Sequence, residues 1–422
     1  MRDLTEARRP LSPEELAALA AVVGEAHLLV ARDDLEPYGR DWTEDFRAEP
    51  AAVARPRTTS EVSSLLKLCS ERRIPVTPQA GRTGLSGGAL PIRGGLVLSV
   101  ERMSSILEID EANLVAVAEA GVVTQELHEA VEARGLYYPP DPASRASCRL
   151  GGNVAENAGG PHATKYGVTS KWVMGLEAVL ASGEVLLTGG KTRKDVAGYD
   201  LTSLLVGSEG TLAVVTKAWL RLIPKPGAAA VVVAPFATLE EAAAAVAAIS
   251  RAGLVPAALE IVDRPCVDVS FRKKGLPVPF PEAEARLLVE LDGADDAEVE
   301  RDVTRCGEVL LEAGPSTPSS RRTRRSGASS GRCAAGSARP SASSAPRASS
   351  TWRCRAPSSP RSSAASGGSR RRPGSRRPAS ATPATGTSTS TSTARGGARG
   401  TRRASRRRPA RSTPRRAASA GR

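Results

Sequence analysis

As far as Ala313, apolar residues recur in two alternating periods, and the switches between them set out the elements. Ser12-Pro13-Glu14-Glu15 is a capping box with proline at the first helical position, opening a helix through Leu16 to Val23. A second helix is expected over Ser60 to Arg72, and the stretch from Ile74 to Val100 holds two strands around a polar, glycine-rich interruption. Another strand follows at Leu114 to Ala118, a helix at Thr124 to Arg134, and a hairpin over Trp172 to Leu187 turning at Ser182-Gly183. Lys217 to Leu222 closes this region, and Pro224-Lys225-Pro226 reads as a linker. Beyond it the order is strand (Ala229 to Val233), Ala-rich helix (Leu239 to Ser250), strands (Ala257 to Val262 and Ala285 to Leu291) and helix (Asp296 to Ala313).

The interruption reads Gln79-Ala-Gly-Arg-Thr-Gly-Leu-Ser-Gly-Gly88. Glycine tolerates the backbone angles of a cupped nest and brings no Cβ, so such a loop can aim several N–H groups at one phosphate or pyrophosphate. A tight connection between strands would use the same residues, and the loop alone does not separate the two.

Composition changes abruptly after Ala313. The segment from there to Arg422 holds 26 Arg and no Lys, Asp or Glu, so in a chain of net charge +14 the body up to Glu312 carries −12. The segment has no Val, Leu, Ile, Phe, Tyr or Met, cannot bury enough apolar surface to offset its chain entropy, and is expected to be disordered. Two origins stay open. A genuine basic tail would neutralise anionic polymers through arginine. A frameshift in a GC-rich gene would produce the same Ala, Gly, Pro, Ser, Thr and Arg, whose codons are built on GC-rich doublets. Shifting the frame across Ser380 to Thr391 permits Gly-His-Ala-Gly-Asp-Gly-Asn-Leu-His-Val-His.

Four further motifs stand in order: Tyr138-Pro-Pro-Asp-Pro-Ala-Ser144, Gly151-Gly-Asn-Val-Ala-Glu-Asn-Ala-Gly-Gly-Pro-His162, Lys194-Asp-Val-Ala-Gly-Tyr-Asp-Leu201 and Gly207-Ser-Glu-Gly-Thr-Leu212. With the Gly-rich loop, they resemble the PCMH-type FAD-binding domain of the vanillyl-alcohol-oxidase-type family that includes D-lactate dehydrogenases, D-2-hydroxyglutarate dehydrogenases and the FAD subunit of glycolate oxidase. The resemblance runs from about Arg55 to Pro226, and the frame-shifted histidine string is similar to a C-terminal motif of the same family. It implies an α+β chain: an N-terminal helical segment (1–50), an FAD-binding domain of two α/β subdomains (51–226), a truncated ferredoxin-like substrate domain (227–313), and the disordered tail (314–422). The substrate domain would stop before its last strand, leaving part of a sheet unpaired.

By the same resemblance the activity is FAD-dependent oxidation of a 2-hydroxy acid of the D-lactate, glycolate or D-2-hydroxyglutarate class. Electrons would pass to a separate acceptor, an iron–sulfur subunit being one candidate. Gly81, Arg82, Thr83, Gly84, Ser86, Gly87 and Gly88 would cradle the FAD pyrophosphate, and Gly151, Gly152, Asn153 and Asn157 would line the flavin side. Ala80 departs from the glycine usual there. The family's catalytic residues fall in the C-terminal half, where this chain has no counterpart. A non-catalytic FAD-binding remnant is the alternative, and binding to nucleic acid, as an anionic polymer, depends on the tail being genuine and is not expected.

Other residues carry plainer expectations. Asp141, between prolines, reads as a turn-former, and His162 as a polar loop residue beside the cofactor. His27 and His128 read as surface or packing residues, and three dispersed histidines make no metal site. Lys194, Asp195, Tyr199 and Asp200 are candidates for flavin-side contacts, Glu209 for a turn at the cofactor edge, and Glu260 for a sheet position facing the active site. Six cysteines without C-x-x-C spacing suggest a reducing compartment and no zinc or iron–sulfur centre. The start lacks an apolar signal region and no run suits a membrane span, so a cytoplasmic location is expected.

Overall fold

The computed structural model describes residues 2–3, 10–43, 45–313 and the strand 321–324, and they build two domains around separate cores. The rest of 314–422, on which the expectations of disorder and of an altered frame fall, lies outside the described residues.

Helix α1 (Pro13–Val23) begins as the capping box requires: the Glu15 N–H donates to Ser12 Oγ at 3.2 Å and the Ser12 N–H to Glu15 Oε2 at 2.9 Å. Four strands follow, β1 (Leu28–Leu29), β2 (Ala52–Ala54), β3 (Val76–Gln79) and β4 (Leu96–Ser99), in sheet order β1-β2-β4-β3. Strands β2 and β3 run parallel to the central β4, and helix α2 (Thr59–Arg72) supplies the crossover between β2 and β3. All four residues of β4 are buried because both faces of the sheet are covered. Leu96 and Leu98 join the main core with Leu65 and Leu19, while Val97 packs with Leu35, Tyr38 and Val53 on the other side.

The second subdomain is antiparallel throughout. Its strands β5 (Ile106–Asp110), β6 (Val115–Glu119), β7 (Val173–Leu180), β8 (Val185–Gly189) and β9 (Ala213–Arg221) lie in the order β8-β7-β9-β6-β5. The hairpin β7–β8 turns at Ser182-Gly183, as expected. Helices α3 (Thr124–Glu132), α4 (Leu150–Ala155), α5 (Ala163–Tyr166) and α6 (Leu201–Leu205) sit in the connections. Leu127, Leu150, Leu176 and Leu220, all buried, fuse this half with the first into one apolar core.

The second domain comprises β10 (Ala228–Phe236), α7 (Leu239–Arg251), β11 (Ala258–Asp263), α8 (Arg264–Lys273), β12 (Ala285–Gly293), α9 (Asp296–Glu312) and β13 (Arg321–Arg324). The sheet order is β11-β12-β10-β13 with every neighbouring pair antiparallel, which is the ferredoxin-like arrangement. Residues 321–324 take the fourth-strand position along Ala230–Val233, so the sheet does not end at the three strands expected from the sequence. Helix α8 was not expected either. Asp263 caps it, accepting from the Cys266 N–H at 3.0 Å, but of its residues only Val267 is buried, so no apolar stripe marks it.

Candidate cofactor cleft and domain junction

The loop after β3 and the turn of α4 face each other across a cleft between the two subdomains. Nine of the eleven residues assigned to the cofactor line it: Gly81, Arg82, Thr83, Gly84, Ser86, Gly88, Gly151, Gly152 and Asn153. Gly87 and Asn157 are not among the lining residues. Gly87 makes a turn at φ +84°, and Asn157, at φ 49°, accepts from the Ser170 N–H through Oδ1 at 2.8 Å.

The glycines divide by what bareness serves. A Cβ at Gly81 would lie 2.7 Å from the Ser147 carbonyl oxygen and 2.8 Å from Cys148 Cα, and one at Gly151 would lie 2.8 Å from Ala120 Cβ. Those two let one backbone segment pass close to another. At Gly84 a Cβ would meet nothing within 4 Å, so its surface is open to a ligand.

Arg82 departs from glycine chemistry. It holds φ 55°, its guanidinium carbon lies 4.5 Å from the centroid of the Tyr38 ring, and its Nη1 is buried with no hydrogen-bond partner in the protein. Burial, with Glu101 hydrogen-bonded to the phenol at 2.8 Å, pushes Tyr38 up to about 12, so the ring under the guanidinium stays neutral. A buried cationic donor without a partner, beside a bare and open Gly84, fits a pyrophosphate. On the opposite wall, burial and the neighbouring carboxylates of Glu209 and Asp41 hold Glu156 above the usual carboxylate range. Glu209, at φ 53°, forms the turn expected of it.

Asp141 and His162 are not among the lining residues and meet the second domain; Asp141 is buried and outside a turn, which corrects the expectation for it, while His162 is in a loop. Asp141 is buried, accepts from the His162 N–H through Oδ1 at 3.2 Å, and sets Oδ2 3.1 Å from His162 Nδ1. Tyr137 Oη is 2.9 Å from the same ring nitrogen, and Glu290 Oε2 of β12 is 3.5 Å from Nε2. Beside them the Lys165 ammonium meets Asp292 Oδ1 at 2.5 Å and the Tyr166 hydroxyl donates to Asp292 Oδ2 at 2.6 Å. Burial raises Asp141 to about 6. Burial alone would lower His162, but Glu290, Asp141 and Asp292 outweigh it and hold the ring above its ordinary value.

The junction could have been found in Leu287-Leu288-Val289-Glu290-Leu291-Asp292. Leu287, Val289 and Leu291 belong to the core, so the alternate positions place Glu290 and Asp292 on the opposite face. Glu260, paired with Leu288 across β11 and β12, shares that face, and burial raises its carboxyl. Lys194, Asp195, Tyr199 and Asp200 are exposed and outside the cleft lining. His128 is a packing residue, its Nε2 2.9 Å from the Pro140 carbonyl oxygen, and burial lowers it to about 4. Among the described residues no group of three metal-ligating side chains occurs.

A three-stranded parallel core and an antiparallel sheet enclosing a glycine-walled cleft, with a ferredoxin-like domain alongside, define a PCMH-type FAD-binding protein. The fold matches p-cresol methylhydroxylase with TM-score 0.61 at 20% identity, over 74% of this chain and 65% of that one. It matches alkyldihydroxyacetonephosphate synthase with TM-score 0.64 at 20% identity, over 73% and 60%. Residues 50–189 match the family described as FAD binding domain, and residues 225–365 that of FAD linked oxidases, C-terminal domain. An FAD-linked oxidoreductase of Mycobacterium tuberculosis is 41% identical over 309 residues, 71% of this chain and 67% of that one. The chain belongs to this family of FAD-linked oxidoreductases, and its cofactor is FAD. The glycolate oxidase subunit GlcD of Bacillus subtilis is 47% identical over 270 residues, and a D-lactate dehydrogenase of Archaeoglobus fulgidus 44% over 251. These matches span 57% and 56% of the relatives' lengths, and 64% and 60% of this chain.

Proposed function

We propose that this chain holds FAD in the cleft, with the pyrophosphate on Arg82, Gly84 and the neighbouring loop amides, and oxidises a small 2-hydroxy acid. Glycolate, D-lactate and D-2-hydroxyglutarate are the candidate substrates, as the names of the relatives suggest. The observation that carries the assignment is the buried, partnerless Nη1 of Arg82 beside the open face of Gly84. FAD, when bound, supplies the two-electron acceptor for the carbinol carbon.

The protein's part is placement and charge. Arg82 is pinned by the Tyr38 ring and by its own backbone turn, so its positive charge is set in place before any anion arrives. Gly81 and Gly151 let the two walls close up by backbone contact, and Asn153, hydrogen-bonded through Nδ2 to Thr124 Oγ1 at 2.6 Å, fixes the second wall. The electrons leave to a separate acceptor; the Bacillus subtilis relative is itself named as a subunit. No described helix is long and apolar enough to cross a membrane.

A second reading is a flavin-binding chain without turnover. One experiment separates the two. Reconstitution with FAD should give a protein with a flavin absorption band that bleaches on anaerobic addition of one of the three acids. A coloured protein that none of them bleaches supports the second reading, and a chain that takes up no FAD overturns both.

A further inference from the structure

We propose that Gln79 is a cofactor-positioning residue: its side-chain carbonyl oxygen accepts a hydrogen bond from a sugar hydroxyl of FAD next to the pyrophosphate. The role rests on the assignment of FAD to the cleft.

Gln79 is the last residue of β3, at the carboxyl end of a strand in a parallel ladder, the edge at which such sheets bind ligands. It lines the cleft and is 3% exposed. Its Nε2 donates to the Tyr38 carbonyl oxygen at 2.8 Å and to the Ala89 carbonyl oxygen at 2.6 Å. These two bonds fix which way the amide faces, because a flipped amide would set Oε1 against both carbonyl oxygens. They also place the residue: Gln79 precedes the Gly-rich loop and Ala89 follows it, so the amide closes the two ends of the loop on each other.

What is left over is Oε1, which is buried and has no hydrogen-bond partner in the protein. An enclosed acceptor without a donor costs free energy, so the site calls for a donor from outside the chain. The neighbouring residues say which. Arg82, three residues on, and Gly84 are the groups assigned to the pyrophosphate. In FAD the pyrophosphate is flanked by the ribityl chain on one side and by the adenosine ribose on the other, and both carry hydroxyls. The phosphates have no proton to donate at neutral pH, and the ring N–H of the flavin and the amino group of adenine lie at the far ends of the molecule. A sugar hydroxyl is therefore the donor nearest the loop. Arg82 and Gln79 divide the work, a cation for the diphosphate and a neutral acceptor for its sugar.

Ser99 offers the competing account. It pairs in register with Gln79 across β3 and β4, is fully buried, and its Oγ likewise has no partner. A water held between Ser99 Oγ and Gln79 Oε1 would satisfy both atoms without the cofactor. Ser99 is not among the lining residues whereas Gln79 is, and that favours the cleft as the source of the donor.

Flavin-fluorescence titration of the full chain tests this, with FAD and with FAD analogues that each lack one hydroxyl of the ribityl chain or of the ribose. On the parent chain at least one analogue should bind about three- to tenfold more weakly than FAD, the loss of one neutral hydrogen bond. Gln79→Met, of similar length but without the amide, should weaken FAD binding by a comparable factor or more, and should bind that same analogue as tightly as it binds FAD. Gln79→Asn, which keeps an amide and withdraws it by one methylene, gives the same comparison where the Met variant does not fold. A Gln79 that only braces the loop would lower the affinity for FAD and for every analogue by one factor, leaving the analogue's penalty in place, and that result overturns the proposal. Analogues that all match FAD on the parent chain also overturn it; the cofactor assignment then stands, and Oε1 belongs to a water shared with Ser99. A chain that binds neither FAD nor any analogue overturns both the proposal and the assignment on which it rests.

Discussion

The Lys165 ammonium and the Asp292 carboxylate, 127 positions apart and in different domains, meet at 2.5 Å. The same carboxylate takes the Tyr166 hydroxyl at 2.6 Å, and only 8% of its side chain is exposed. Removing it leaves the phenol without its acceptor and the half-buried ammonium with the main-chain carbonyl of Asp292, 3.0 Å away, in place of the carboxylate. Asp292→Ala should cost about 2 kcal/mol, in the range for hydrogen bonds to charged groups. In a double-mutant cycle with Lys165→Met, a coupling energy indistinguishable from zero in equilibrium unfolding would show that the pair does not join the domains.

Gly81 and Gly84 should respond oppositely to a single methyl. Alanine at 81 drives Cβ into the backbone at Ser147 and Cys148, which cannot rotate away, and should cost about 2 kcal/mol of stability. Alanine at 84 meets no protein atom and should leave the unfolding midpoint of the flavin-free chain unchanged, while weakening FAD binding by occupying ligand space. Titration of flavin fluorescence beside thermal unfolding separates the two effects. Equal losses of stability in both variants would refute the division.

Signals that lie within one turn of chain were legible in the sequence. The capping box at Ser12 and Glu15 and the turn at Ser182-Gly183 depend on near neighbours, and both stand where the pattern placed them. The Gly-rich loop announced a cleft, though not that Gly81 and Gly151 serve packing while Gly84 faces outward. Asp141 was misread as a turn residue because its flanking prolines are visible and its burial against His162 is not. Helix α8 escaped because its cap is readable but its apolar face is a single valine. The fourth strand at 321–324 lies where composition offers no apolar residue to mark it.

Thiol reactivity follows burial. Cys69 and Cys306 are almost wholly enclosed, which pushes their thiols up to about 12 and about 11, with Glu15 and Asp302 adding a smaller like-signed contribution. Cys266, at the start of α8, is partly exposed. Native alkylation near pH 8 followed by peptide mapping should modify Cys266 well before Cys69 or Cys306. Comparable rates at all three would mean that the cores around α2 and α9 open far more readily than their packing allows.

Arg82 separates stability from binding most sharply. Its left-handed backbone is one that glycine adopts freely, so Arg82→Gly relieves strain of about 1 kcal/mol, while losing a guanidinium–ring contact of similar size with Tyr38. The two offset, and the flavin-free variant should unfold within about 1 kcal/mol of the parent. FAD binding has no such compensation. Loss of a buried charged donor to a pyrophosphate should weaken it by about tenfold or more, with a shallower dependence on salt. Arg82→Lys keeps the charge but neither the planar fork nor the stacking, and should fall between the two. An unchanged FAD affinity in Arg82→Gly would move the pyrophosphate away from this loop wall.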